Sequence, residues 1–182
     1  MKIYTARGDQ GATDLLGERV TKDDPRIDLL GDLDETTSTI GFARSLATWD
    51  NANDLLLAAQ RDLYAIMAEL AFIDTTRPDS MVFQAERVDW LERAIAGVQE
   101  TVNLPREFVV AGETTPGAAM DVARTVIRRA ERQAVALSHA GASTMNPQII
   151  RYLNRLSTLL FILARAEDVS VHGDVRTAKG TE

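Results

Sequence analysis

Between Ala123 and Leu137 the chain reads ARTVIRRAERQAVAL, a strict helical period uninterrupted by proline or glycine. Wound at 3.6 residues per turn, it separates into two faces. Val122, Ala123, Val126, Ile127, Ala130, Ala134 and Leu137 make an apolar stripe built for burial. Arg124, Arg128 and Arg132 fall opposite, with Glu131 beside them and Asp121 one turn upstream. Like charges four residues apart repel. Three in a row are tolerated where something anionic faces them: a carboxylate from another element, or a phosphate chain, which arginine grips in a bidentate fork. The alternative is a solvated face partly neutralised by Glu131 and Asp121, and the period alone does not decide.

Composition narrows the classes. The chain has 182 residues, enough for one domain with a substantial core. Its net charge of -7 argues against a nucleic-acid binder with a general basic surface, leaving only a local basic pocket such as the arginine stripe. With no cysteine there is neither a disulfide framework nor a zinc-thiolate site. His139 and His172 are the only imidazoles and stand far apart, so a His-rich metal site is not expected. No apolar run reaches the ~18 residues needed to cross a membrane, and MKIYTARGDQG lacks a signal-peptide core. The expectation is a cytoplasmic enzyme or binding protein that engages neither nucleic acid nor membrane.

In chain order, residues 1–22 read as an irregular loop carrying Gly8, Gly11 and Gly17 among Asp9, Thr13 and Asp14. Such a loop turns backbone N–H groups and hydroxyls toward an anion, although no Gly-Lys-Ser/Thr closes it as a P-loop. Amphipathic helices follow over Pro25–Ala47, Ala52–Ile73 and Gln84–Glu100. Gly31 and Gly41 inside the first of these mark places where a backbone or ligand approaches closely. A connection over 101–117 holds the short extended run Phe108-Val109-Val110. Thr115-Pro116 then serves as N-cap and first turn of the arginine helix. The last helix runs from Pro147 to Glu167. Leu153, Leu156, Leu160 and Leu163 form its core stripe, with Phe161 and Ile162 round from it, which suggests a subunit interface. The tail from Val169 to Glu182 reads as polar and flexible. The sum is an all-α, single-domain five-helix bundle, ferritin-like in class, with an irregular N-terminal loop.

Several stretches resemble the PduO-type corrinoid (cobalamin) adenosyltransferases. They are Ile3-Tyr4-Thr5-Ala6-Arg7-Gly8-Asp9-Gln10-Gly11, Gly17 to Asp24, Asp34-Glu35 with Gly41-Phe42-Ala43, Ala123 to Arg132, Tyr152 to Ser157 and Leu159 to Arg165. The resemblance implies a homotrimer of five-helix bundles with active sites between subunits. It also implies transfer of the 5′-deoxyadenosyl group of ATP to cob(I)alamin, giving adenosylcobalamin and inorganic triphosphate. ATP, cobalamin and Mg²⁺ are then the small molecules required. A Co(II) reductase and an adenosylcobalamin-dependent enzyme are the implied protein partners.

By the same resemblance, ATP falls to the 1–22 loop (Thr5, Ala6, Arg7, Gly8, Thr13 and Asp14), to Lys22, to Arg128, Arg129, Ala130, Glu131 and Arg132, and to Asn154. Phe108 lies next to the corrin and displaces the lower nitrogen ligand from cobalt; with Arg128 it is the catalytic residue. Asp34 and Arg124 form a pair joining neighbouring subunits at the site. No direct protein ligand to a metal is implied: Mg²⁺ arrives with ATP, with Glu131 reaching it through water. The chemistry suits such residues, because Co(I) is already a strong nucleophile and the departing triphosphate needs preorganised cations rather than a general base.

Some positions depart from the family pattern: Ala6 in place of a lysine, Thr36-Thr37 in place of Leu-Asn, Ala111 at the head of a Pro-Gly-Gly, and Asp121 in place of a common histidine. They cluster toward the corrin side and the subunit contacts. Asp121 on the arginine face would weaken an anion site. Two further readings therefore stand beside the enzyme: a non-catalytic relative that binds ATP or adenosylcobalamin as a sensor or delivery protein, and a plain bundle whose arginines form interface ion pairs.

Overall fold

The computed structural model describes residues 3–72, 76–141 and 145–179. Five helices carry the fold: α1 (Pro25–Leu46), α2 (Ala52–Ala71), α3 (Ala85–Gln99), α4 (Thr115–His139) and α5 (Pro147–His172). They pack in the order α2, α1, α4, α5, α3, so the arginine-bearing α4 lies between α1 and α5. Ile73, Thr75 and Gly180 to Glu182 fall outside the described residues.

The helix starts are legible in physical terms. Asp24 caps α1 by accepting from the Arg26 N–H, Asn146 caps α5 by accepting from the Gln148 N–H, and each helix has proline in its first turn. The start of α4 falls one residue earlier than expected: Thr114, not Thr115, is the N-cap, its hydroxyl accepting from the Gly117 N–H. Asp24 also holds Arg26 at 2.9 Å. That guanidinium, by hydrogen bond above all, keeps the carboxyl below its ordinary value of 3.8. A carboxyl lowered on folding contributes stability above its unfolded value and loses it as pH falls through the folded one. Asp24→Asn keeps the cap acceptor but not the charge. Its stability, measured by denaturant titration, is expected to fall less than the wild type's between about pH 4 and pH 2, the two curves converging at the acid end.

The core is aliphatic and closely set: Leu29, Leu33 and Ile40 of α1, Leu56, Leu63 and Ile66 of α2, Ile127 of α4, and Leu153, Leu156, Leu160 and Leu163 of α5 are fully buried. Of the expected α4 stripe, Val122 is the exception. It lies at the edge of the buried arc and is exposed. Of the two glycines inside α1, Gly41 has the Gln60 amide close against it, at 3.1 Å from where a side chain would begin, whereas Gly31 faces open space.

Two segments differ from the sequence reading. Residues 12–21 are not irregular but form a small antiparallel hairpin, β1 (Ala12–Asp14) with β2 (Arg19–Thr21), Thr13 opposite Val20. It docks on the end of α2, the Leu16 N–H donating to the Ala71 carbonyl at 2.8 Å. The tail is not frayed from Val169. Helix α5 continues through His172, Gly173 ends it with φ 76°, Val175 is buried, and Thr177 pairs with Val109. The helical period simply runs on into polar residues, and the strand-like contact beyond it is too short to carry an alternating pattern.

Candidate functional site

The expected site residues fall into two groups on different parts of the surface. In the first, Thr5 to Lys22, the backbone folds back repeatedly. Ala6 sits in the left-handed region at φ 59°, the Asp9 N–H donates to the Ala6 carbonyl, and the Gly11 N–H donates to the Gly8 carbonyl. A non-glycine residue held there is strained by roughly 1–2 kcal/mol. Arg19 fixes the turn by donating to the Arg7 carbonyl at 2.6 Å and to Asp14 at 2.8 Å, and the Arg7 guanidinium reaches Asp14 from the other side at 3.3 Å. The Arg19 hydrogen bond holds the Asp14 carboxyl below the usual carboxylate range. Asp14 is therefore an ionised anchor for two arginines. Lys22 extends back over Gly8, its ammonium 3.2 Å from where a side chain on that glycine would begin. Lys22 and Arg7 are both exposed, so the loop offers two cations and several N–H groups to solvent.

The second group lies on α4 and α5. Arg128 is exposed, and its side chain makes no ion pair or hydrogen bond among the described residues. Arg132, also exposed, donates to the Arg128 carbonyl at 2.9 Å. Glu131 is turned toward α5, where its carboxylate accepts from the Asn154 amide at 2.8 Å; Arg155 donates to the Asn154 carbonyl oxygen. Arg129 points the other way, bonded to Asp32 at 2.9 Å and to Glu35. Its charge is thus spent on α1, while Arg128 keeps an open one. Ala130 is fully buried and presents neither side chain nor backbone to a ligand.

Three further expected residues are Phe108, Asp34 and Arg124. Phe108 is 89% exposed, which removes the ordinary core-phenylalanine reading. Its backbone is nevertheless fixed: the Ala178 N–H donates to the Phe108 carbonyl at 2.7 Å and the Val110 N–H to the Arg176 carbonyl at 2.8 Å. Phe42 and Val122, likewise exposed, line a depression of about 420 Å³ with the Gly112–Thr115 turn that leads into α4. Asp34 is exposed, and its side chain makes no ion pair or hydrogen bond among the described residues. Arg124 bonds to Asp121 instead, Nε to Oδ1 at 2.8 Å.

Asp121 itself is a correction. It does not face the arginine stripe's solvent side but is 5% exposed, its second oxygen accepting from Arg165 of α5 at 2.6 Å. Arg165 is 1% exposed and also lies 3.0 Å from Asp168, whose other oxygen accepts from the Thr114 N–H and hydroxyl. Sequence reading missed Arg165 and Asp168. The available signal was an arginine on a helix that is apolar nearly all round, since a buried guanidinium requires buried acids.

No hydrogen bond or ion pair joins the Thr5–Lys22 group to the Arg124–Asn154 group among the described residues. Nor do three or more His, Asp or Glu residues converge there as a metal cage, and no helix is long and apolar enough to cross a membrane.

Comparison with known proteins gives these groups a context. A sequence profile described as cobalamin adenosyltransferase matches residues 3–167. The Salmonella typhimurium protein named corrinoid adenosyltransferase PduO is 37% identical over 174 residues; the match takes in 94% of this chain but 51% of that protein, so the chain spans about half of its length. The Bacillus subtilis corrinoid adenosyltransferase is 36% identical over 180 residues, with 96% and 91% covered. Among solved structures, a variant of the PduO-type ATP:corrinoid adenosyltransferase from Lactobacillus reuteri, complexed with cobalamin and ATP, superposes with a TM-score of 0.89 at 30% identity, covering 98% of this chain and 100% of that one. A second variant of that enzyme, complexed with ATP, gives 0.87 at 30% identity, covering 97% and 100%. With the profile running from the loop before the hairpin to the buried end of α5, and the bundle reproduced in both solved relatives, the chain belongs to the cobalamin adenosyltransferase family.

Proposed function

We propose that this protein transfers the 5′-deoxyadenosyl group of ATP to cob(I)alamin, releasing inorganic triphosphate. The observation that carries the reading is Arg128, an exposed guanidinium without a partner among the described residues, on a helix whose neighbouring arginine is already neutralised by two acids. In the reaction the cobalt(I) electron pair forms the bond to C5′ as the C5′–O bond breaks. One unit of negative charge then develops on the departing phosphate chain, and cations fixed beforehand stabilise it most. Arg128 and Arg132 on α4, and Lys22 and Arg7 flanking the hairpin, fit that task; the N–H groups of the Ala6–Gly11 turns fit the phosphate oxygens. Ala6 leaves the usual lysine place empty, and Arg7, tethered to Asp14, supplies a neighbouring cation. Mg²⁺ would travel on the triphosphate, since Glu131 is a lone carboxylate already bonded to Asn154.

Among the described residues the two cationic groups share no bond, and Phe42, Phe108 and Val122 leave apolar surface open. Both facts support a site assembled between copies, a homotrimer in which the hairpin of one faces α4 of the next. Phe108, exposed yet backbone-anchored, fits the corrin face, where an apolar ring excludes a lower ligand. Because its side chain buries almost nothing in the monomer, Phe108→Ala is expected to shift stability by less than about 0.5 kcal/mol. It is expected to slow turnover roughly tenfold or more, about 1.4 kcal/mol, with ATP affinity unchanged by calorimetry. Slowed turnover together with weakened ATP binding would move Phe108 out of the corrin role.

The direct test mixes the protein with ATP, Mg²⁺ and chemically reduced cobalamin and follows the Co(I) absorption band. Decay to a light-sensitive alkylcobalamin with release of triphosphate is the expected result. An unchanged band with measurable ATP binding would leave a binding relative instead.

A further inference from the structure

Resting on the reading above, we infer that Asp121 is a positioning residue that aims Arg124 across the subunit boundary, with Arg165 as its buried anchor. Asp121 is fully engaged from two sides: Oδ1 accepts from Arg124 Nε at 2.8 Å and Oδ2 from Arg165 at 2.6 Å. Nε is the inner edge of a guanidinium. Binding it leaves the two terminal nitrogens of Arg124 with no hydrogen bond among the described residues, and those two form the fork that matches a carboxylate. Arg124 is 27% exposed through its side chain, beside exposed Val122, so the fork opens outward. An exposed, unpaired Asp34 on a neighbouring copy is the acceptor of the right chemistry.

The buried end of the device explains why it holds still. Two arginines and two aspartates, Arg124, Arg165, Asp121 and Asp168, make a neutral set, which is what burial of charge requires. Asp168 passes the constraint on to the Thr114 N–H and hydroxyl, and the Thr114 hydroxyl to the Gly117 N–H. Arg165 also lies over the half-buried Phe161 ring, 5.4 Å from its centre. The same buried carboxylate pair therefore fixes the Arg124 fork and the turn that follows the Phe108 segment.

A double-mutant cycle tests the coupling. Asp34→Ala in the wild-type background is expected to raise KM for cob(I)alamin roughly tenfold and to weaken assembly in sedimentation. In the Asp121→Asn background, where the side chain keeps its shape but not its charge, the further effect of Asp34→Ala is expected to shrink below about threefold. Asp121→Glu, which keeps the carboxylate, restores part of the coupling. At protein concentrations that keep the assembly intact, ATP affinity stays within about twofold, since neither Asp34 nor Asp121 touches a phosphate-binding side chain. Equal Asp34→Ala effects in both backgrounds would overturn the proposal. Should Asp121→Asn fail to fold, ¹⁵N spectra of the wild type decide: a slowly exchanging Arg124 Nε–H, identified by its loss in Arg124→Lys, is expected, and rapid exchange overturns the assignment. If the wild type shows no turnover, the adenosyl-transfer reading falls, while the sedimentation and exchange arms still judge Asp121.

Discussion

Arg128→Ala is expected to abolish ATP-dependent loss of the Co(I) band, by roughly 10²-fold or more, while leaving the bundle as stable as before. The size follows from where the charge is. Its guanidinium has no acid to neutralise it among the described residues, whereas Arg129 is bound to Asp32 and Glu35 and Arg124 to Asp121. Removing a free cation from a site where negative charge develops costs transition-state stabilisation and little else. The fold should not notice, since the residue is exposed, alanine is the better helix former, and two repulsions along the stripe, with Arg124 and with Arg132, disappear. Arg128→Lys separates charge from geometry: it retains the cation but not the fork, and an intermediate rate is expected. The measurements are stopped-flow turnover, ATP calorimetry and thermal unfolding on the same preparations. Wild-type kinetics in Arg128→Ala would displace the phosphate site from this face of α4.

The second large effect is on stability. A methyl at Gly117 would begin 2.4 Å from an Asp168 oxygen, 2.7 Å from the Thr114 hydroxyl and 3.1 Å from the Ala164 carbonyl. None of the three has room to retreat. Asp168 is fully buried and carries two bonds from Thr114, and Ala164 is helix backbone. Gly117→Ala thus forces overpacking and breaks buried hydrogen bonds, a combined loss of about 2–4 kcal/mol. In a chain of this length that corresponds to a drop in melting temperature of roughly 5–15 °C. A loss under 1 kcal/mol would mean that the Asp168–Thr114 contact is not a structural constraint. Ala118 next door is the control, since it lines only the shallow depression.

Much of this architecture was legible because it rests on local rules. Asp24-Pro25 and Asn146-Pro147 announce helices, the leucines of α5 repeat at helical spacing, and Gly173 stops α5 where its backbone turns left-handed. The tertiary facts were not legible, and for a common reason. Helical period put Asp121 on the arginine side, but it could not say that Arg165 of another helix lies opposite and buries it. Three-residue strands such as Ala12–Asp14 hold too little alternation to separate from loop. Nor does a sequence tell which of three neighbouring arginines will be claimed: Arg129, not Arg128, meets Asp32, and that choice leaves Arg128 without an ion pair among the described residues.

The strand contact between Phe108 and Ala178 has a consequence for synthesis. The ribosome releases Phe108 some 70 residues before the partners that fix its backbone, Arg176 and Ala178. A nascent chain can therefore gather α1 to α4 around their aliphatic contacts while the Phe108 segment still hangs unpaired. The aromatic ring is set in place only when the final turn of α5 has formed and the residues beyond Gly173 have folded back. Placement of the Phe108 segment therefore waits for the residues beyond Gly173, and a chain stopped short of Arg176 would be a nearly whole bundle with its aromatic ring adrift.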